Sequence, residues 1–216
     1  MADLRKDFIS FCIEQSVLKF GRFVMKSGRV SPYFFNAGLF NTGASLGRLA
    51  QFYAKAILAS GVEFDMLFGP AYKGIVLAAG AATALAREGR DVPFAFNRKE
   101  AKDHGEGGGL IGAPLAGRVL IVDDVLTAGT AVRESFDLIE GHGAIVAGVV
   151  ISLDRMERGQ GNLSAVREIE KRHGIPVIPI ASLDDLMSWL EGHAEFRQNL
   201  DAIRDYRKIY GVAHHA

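Results

Sequence analysis

Val119-Leu-Ile-Val-Asp-Asp-Val-Leu-Thr-Ala-Gly-Thr-Ala131 opens with four apolar residues, three of them β-branched, which read as a short buried strand. The strand ends on two adjacent carboxylates, Asp123 and Asp124, for which an apolar core has no use. Thr127-Ala-Gly-Thr130 then supplies hydroxyls and a glycine where an apolar-periodic helix (Val132, Phe136, Ile139) begins, so several backbone N–H groups converge there on an anion. The lysine of GxxxxGK[ST] is missing and the acids precede the cradle, which excludes a nucleoside-triphosphate P-loop. The expected ligand carries a phosphate and, close by, hydroxyls that donate to carboxylates. A ribose 5-phosphate has that form.

The flanking segments repeat the pattern of strand followed by polar turn. Phe64-Asp-Met-Leu-Phe68 reads as a strand running into Gly69-Pro-Ala-Tyr-Lys-Gly74, and an alanine-rich helix follows to about Arg87. Lys73 sits at the positive end of that helix, where a cation is misplaced unless an anion offsets it. Ala144–Leu153 is a second apolar run, and it exits into Asp154-Arg155, whose planar guanidinium suits a carboxylate or ring carbonyl. Strands alternating with helices imply an α/β fold with a mostly parallel central sheet flanked by helices, ligands lying at the carboxyl ends of the strands.

Upstream, Leu4, Phe8, Phe11, Cys12, Gln15 and Leu18 predict a helix from near Asp3 to just before Gly21. Phe20 to Phe35 changes period around Lys26-Ser-Gly-Arg29, which reads as a hairpin turn with Lys26 at its tip. Ala44 to Ser60 predicts a helix with Leu46, Leu49, Ala50, Tyr53 and Ile57 on its apolar face and Gly61 ending it. Val92 to Phe96 is the next strand. From Lys99 to Pro114 the chain turns polar and glycine-rich, and is expected to be a loop that does not order itself: a lid with glycine hinges. Gly107-Gly-Gly-Leu-Ile-Gly112 matches GxGxxG in form only, because it has neither the preceding strand nor the following helix of a dinucleotide fingerprint. Downstream, Asn162 to His173 predicts an amphipathic helix, Ile175-Pro-Val-Ile-Pro-Ile180 an edge strand, and Leu183 to Ile209 one or two helices.

With 216 residues, and roughly 150 per domain as the usual scale, one α/β domain is expected: a hood over about residues 1–40 and a core over about 41–216. Lys and Arg total 25, as do Asp and Glu, so no global field draws the chain to nucleic acid or an anionic membrane surface. Cys12 is the single cysteine, which excludes an internal disulfide and a thiolate zinc site and suits a reducing cytoplasm. No run approaches the about 20 apolar residues of a membrane span. His142, His173, His193, His214 and His215 lack metal-ligand spacing and read as surface or structural.

An apolar run followed by Asp-Asp and Thr-Ala-Gly-Thr is similar to the phosphoribosyl-pyrophosphate (PRPP) signature of the type I phosphoribosyltransferases, whose fold is Rossmann-like with a small hood. Lys26-Ser-Gly-Arg-Val-Ser-Pro-Tyr-Phe-Phe-Asn36, Gly69–Gly74, Asn97-Arg-Lys-Glu-Ala-Lys-Asp-His-Gly105 and Leu153-Asp-Arg-Met-Glu-Arg-Gly159 look like segments of the orotate-using branch of that family, so the resemblance covers nearly the whole chain.

The resemblance implies displacement of pyrophosphate from PRPP by orotate. It implies PRPP contacts from Lys26, Tyr72, Lys73, Arg98, Lys99, Lys102, His104, Asp123, Asp124, Val125, Leu126, Thr127, Ala128, Gly129, Thr130 and Ala131, and orotate contacts from Phe34, Phe35, Thr127 and Arg155. Lys102, His104, Lys73 and Asp124 are the implied catalytic groups, with Lys102 or His104 as general acid. Mg²⁺ is the implied cofactor, held at Asp123 and Asp124 indirectly or through substrate. A homodimer sharing Lys99, Lys102 and His104 across its interface is implied too, as is a non-proline cis peptide before Tyr72. Two alternatives stay open: a phosphoribosyltransferase for another base, and a non-catalytic PRPP-sensing regulator. The first has no need of Lys26, Phe34, Phe35 and Arg155 together; the second would bring a basic recognition helix that this chain lacks.

Overall fold

The computed structural model describes residues 2–25, 28–102, 108–126, 130–159 and 161–212. In chain order its elements are α1 (Ala2–Glu14), β1 (Leu18–Val24), β2 (Val30–Phe35), α2 (Gly43–Ser60), β3 (Met66–Gly69), α3 (Lys73–Arg87), β4 (Phe94–Lys102), β5 (Gly108–Gly112), β6 (Arg118–Asp123), α4 (Thr130–Gly141), β7 (Ile145–Asp154), α5 (Ala165–His173), β8 (Val177–Ser182), α6 (Leu183–Glu191) and α7 (Arg197–Tyr210). The six-stranded sheet has the order β5-β4-β3-β6-β7-β8. All its pairings are parallel except β4 with β5, and β1 and β2 form a separate antiparallel hairpin. The α/β architecture with a mostly parallel, helix-flanked sheet is the one expected.

The β6 run is apolar throughout because both faces of the sheet are covered. Leu120 and Val122 face one core layer, with α2 and α3, while Val119 and Ile121 face the other, with Val132, Phe136 and Ile139 of α4. All four β6 residues are fully buried, and each such burial contributes about 1.5–3 kcal/mol. Helix ends follow local chemistry. In α2 the Thr42 hydroxyl accepts from the Ser45 N–H at 3.2 Å and Gly61 ends the helix at φ +68°. Helices α2 and α3 approach closely because Gly80 faces Ala50.

Several boundaries differ from expectation. Helix α1 stops at Glu14: Ser16 takes φ +55° and Val17 N–H bonds back to Cys12, freeing Leu18 to start the hairpin rather than close a helical stripe. Strand β4 begins at Phe94, after Pro93, and α5 at Ala165, where the Ser164 hydroxyl caps Arg167 N–H at 3.1 Å. The largest difference concerns the polar stretch after Lys99. The segment expected to be a structureless lid continues β4 as far as Lys102 and returns as β5, with Asn97 opposite Leu110 and Phe96 opposite Ile111. Backbone pairing supplies the order that apolar side chains do not.

The N-terminal segment is packed on the C-terminal elements. Helix α1 packs against α6 and β8, and β2 packs against α7. Arg5 pairs with Asp185 at 3.3 Å, and the Trp189 indole N–H donates to Ser10 at 2.9 Å. Helices α1 and α7 therefore hold the β1–β2 hairpin in place.

Gly69 and Gly74 bracket the turn between β3 and α3. A Cβ on Gly74 would lie 2.5 Å from Pro70 Cδ and 2.9 Å from the Val122 carbonyl oxygen, so the turn closes against β6 only without a side chain there. Gly74→Ala is expected to destabilise the protein by about 2 kcal/mol through overpacking, read as a lowered urea midpoint at unchanged m-value. An unmoved midpoint would contradict this packing.

Candidate active site

The carboxyl ends of β3, β4, β6 and β7 bring the chemistry-bearing residues to one side of the sheet. Asp123 ends β6, and the buried Asp124 follows it. From the first turn of α3, Lys73 places its Nζ 2.5 Å from Asp124 Oδ2. The anion that offsets a lysine at the helix N-terminus is thus supplied within the protein by Asp124. Its other oxygen, Oδ1, accepts the Val125 N–H at 2.9 Å, and Asp123 Oδ1 accepts the Asp124 N–H at 2.8 Å.

The two acids are electrostatically unequal. Asp124 has a lysine; among the described residues no cation pairs with Asp123. Burial first, and the neighbouring Asp124 carboxylate second, hold the Asp123 carboxyl well above the usual carboxylate range. Such a group is short of donors and counter-charge, and a ligand that brings hydroxyls or a cation relieves it. No described group of three or more His, Cys, Asp or Glu side chains forms a metal cage. Two adjacent carboxylates, one already engaged, fit a Mg²⁺ that keeps most of its oxygen ligands from substrate and water.

The loop between β3 and α3 carries a cis Ala71–Tyr72 peptide, as the resemblance implied. Ala71 N–H donates to Asn97 Oδ1 at 2.8 Å, tying this loop to β4, and the Lys99 ammonium lies 4.9 Å from the centroid of the exposed Tyr72 ring. Arg98 is half-buried on the same strand. Val125 and Leu126 are also half-buried, packed on opposite core layers, so they anchor the start of the cradle and leave its ligand contacts to backbone groups. Lys26, His104, Thr127, Ala128 and Gly129 lie outside the described residues, as do the side chains of Lys102, Thr130 and Ala131.

Arg155 stands just beyond β7 with its Nη2 and Nε 2.6 and 2.9 Å from Glu157 Oε1, Nη2 also 3.1 Å from Ser31 Oγ, and its guanidinium 4.3 Å from the Tyr33 ring centroid. The hairpin is thereby bound to the strand that presents the arginine. Phe34 and Phe35 cannot both face one ligand, because neighbours on a strand point to opposite sides. Phe35 is buried in the core, whereas the half-buried Phe34 stacks on Phe23 at 5.4 Å.

Inspection of the sequence missed Asn97, Glu157, Tyr53 and Ser152. Tyr53 reads as one more apolar residue on the inner face of α2, and Ser152 as an interruption in an apolar run. A phenol in a stripe of that kind needs a buried partner, which was the available signal.

A phosphoribosyl transferase domain model matches residues 39–178. Orotate phosphoribosyltransferases from Chromobacterium violaceum and Laribacter hongkongensis are 64% and 65% identical over 212 residues, covering 98% of this chain and 99% and 100% of theirs. This chain belongs to the orotate phosphoribosyltransferases. The solved orotate phosphoribosyltransferase from Francisella tularensis shares the fold with a TM-score of 0.87 at 44% identity, over 95% of this chain and 99% of that one. The acid pair lies at the end of β6, and Lys73 reaches it from the first turn of α3.

The inequality of the two acids has a measurable consequence. Below the ordinary carboxylate range Asp123 is protonated in both folded and unfolded chains and costs nothing; above its raised folded value the native state carries the full cost of ionising it. Asparagine keeps an acceptor for the Asp124 N–H without the charge. Asp123→Asn is therefore expected to raise the melting temperature at pH 8, the gain shrinking as pH falls towards about 4. A variant that melts below the parent at pH 8 would contradict this electrostatic picture.

Proposed function

We propose that the chain transfers the 5-phosphoribosyl group of PRPP to N1 of orotate, forming orotidine 5′-monophosphate and pyrophosphate on the way to UMP. The observation that carries the reading is the exposed Lys73 paired with the buried carboxylate of Asp124, beside the under-compensated Asp123 that ends β6.

The C1–O bond of PRPP breaks with its electron pair leaving on pyrophosphate, the N1 lone pair of orotate closes on C1, and N1 gives up its proton to solvent water. Positive charge builds on the ribose as in glycoside chemistry. Asp123 and Asp124 accept from the ribose hydroxyls and offset that charge; backbone groups of Val125, Leu126, Thr127, Ala128, Gly129, Thr130 and Ala131 hold the 5-phosphate. Tyr72, Lys73, Arg98, Lys99 and Lys26 attract the departing pyrophosphate, and Lys102 or His104 supplies it with a proton. Arg155 and Phe34 receive orotate, with Thr127 beside them. Asp123 and Asp124 would hold Mg²⁺, indirectly or through substrate, and the ion would supply neutralisation of charge on the leaving group.

Strand β4 runs on to Lys102, beyond its pairing with β3 at Phe94–Phe96, and returns as β5, while Tyr72 and Val76 are exposed; this supports a homodimer whose arm serves the neighbouring site. The single buried cysteine supports a reducing cytoplasm, and among the described residues no helix is long and apolar enough to cross a membrane. The names of the relatives favour this enzyme over a transferase for another base or a PRPP-sensing regulator.

With PRPP and Mg²⁺ present, a panel of free bases is expected to show an ultraviolet change with orotate alone; turnover of uracil or hypoxanthine with orotate inert would overturn the assignment. Mixing Lys102→Ala with Asp124→Ala subunits is expected to restore part of the activity each lacks. A mixed dimer as inactive as its parents would argue against shared sites.

A further inference from the structure

The acids at the end of β6 need a defined direction, and the backbone around them supplies it. Tyr53 on α2 is fully buried, with its hydroxyl 2.7 Å from the Asp123 carbonyl oxygen and 2.6 Å from Ser152 Oγ on β7. The carbonyl oxygen only accepts, so the single phenolic proton goes to it, and the second contact is Ser152 Oγ–H donating to the phenol. Burial keeps the phenol protonated, as that direction requires. Ser152 N–H separately donates to the Asp124 carbonyl at 2.9 Å. The Asp123 carbonyl and the Asp124 N–H belong to one planar peptide and point opposite ways. Holding the carbonyl against α2 therefore turns the N–H the other way, where it donates to Asp123 Oδ1 at 2.8 Å and sets that carboxylate.

We propose that Tyr53, backed by Ser152, is a positioning residue for the reaction: through the Asp123–Asp124 peptide plane it sets the direction in which the Asp123 carboxylate meets the ribose of PRPP. The proposal rests on the reading that the acid pair binds that ribose.

Tyr53→Phe keeps the ring and its packing and removes the proton. It is expected to lower kcat/KM for PRPP about tenfold while leaving KM for orotate unchanged. Ser152→Ala leaves the phenol donating to the carbonyl, and is expected to cost about threefold or less. Because Tyr53 acts through Asp123, the PRPP affinity lost on Tyr53→Phe, measured by calorimetry, should largely disappear in an Asp123→Asn background. Additive losses in that cycle overturn the proposal, as does a Ser152→Ala defect equal to that of Tyr53→Phe, or an equal rise in KM for both substrates. Unaltered PRPP binding in Asp123→Asn alone overturns the acid-pair reading and this proposal with it. A defective Asp123→Asn enzyme beside a normal Tyr53→Phe enzyme overturns this proposal only.

Discussion

Lys73 reaches from the first turn of α3 to Asp124 at the end of β6, and the 2.5 Å contact joins two loops that are far apart in sequence. Neither partner is well placed by itself. A cation at a helix N-terminus is repelled by the helix dipole, and a carboxylate with only 9% of its side chain exposed has lost most of its water. Each removes the other's difficulty, and the cost of separating them holds the β3–α3 turn against β6. The glycines at 69 and 74 let the backbones come close enough for the pair to form.

Around that pair the supports are polar and directional. Asn97 holds Ala71 N–H from β4, Tyr53 holds the Asp123 carbonyl from α2, and Ser31 and Glu157 hold Arg155 between the hairpin and β7. The apolar layers set where the sheet and helices lie, but burial has no direction. Hydrogen bonds from buried side chains aim the reacting groups, and they are the contacts whose removal should alter kinetics more than folding.

The polar arm shows where composition misleads. Lys99 to Gly109 contains almost nothing that a core would take, which reads as a loop. Yet Phe94, Ala95 and Phe96 anchor β4 within the sheet, and pairing started there continues to Asn97 opposite Leu110 and, past a register shift, to Lys102 opposite Gly108, at little added cost of chain closure.

Much of the molecule was legible in one dimension. The apolar strand that ends on Asp123, the alternation of strands and helices, the hairpin around residue 28 and the placing of Asp123, Asp124 and Lys73 at strand and helix ends all follow from periodicity, turn chemistry and the misplacement of charge among apolar residues, which are local properties. Tertiary structure alone decided which partner each polar group finds: that Asp124 takes Lys73 and leaves Asp123 short of charge, that Phe34 faces outward while Phe35 enters the core, that Arg155 is clamped by Glu157, and that Tyr53 is an anchor for the backbone rather than one more core ring. These pairings span up to 124 residues of chain, as between Arg155 and Ser31, and depend on angles and distances that no local pattern carries.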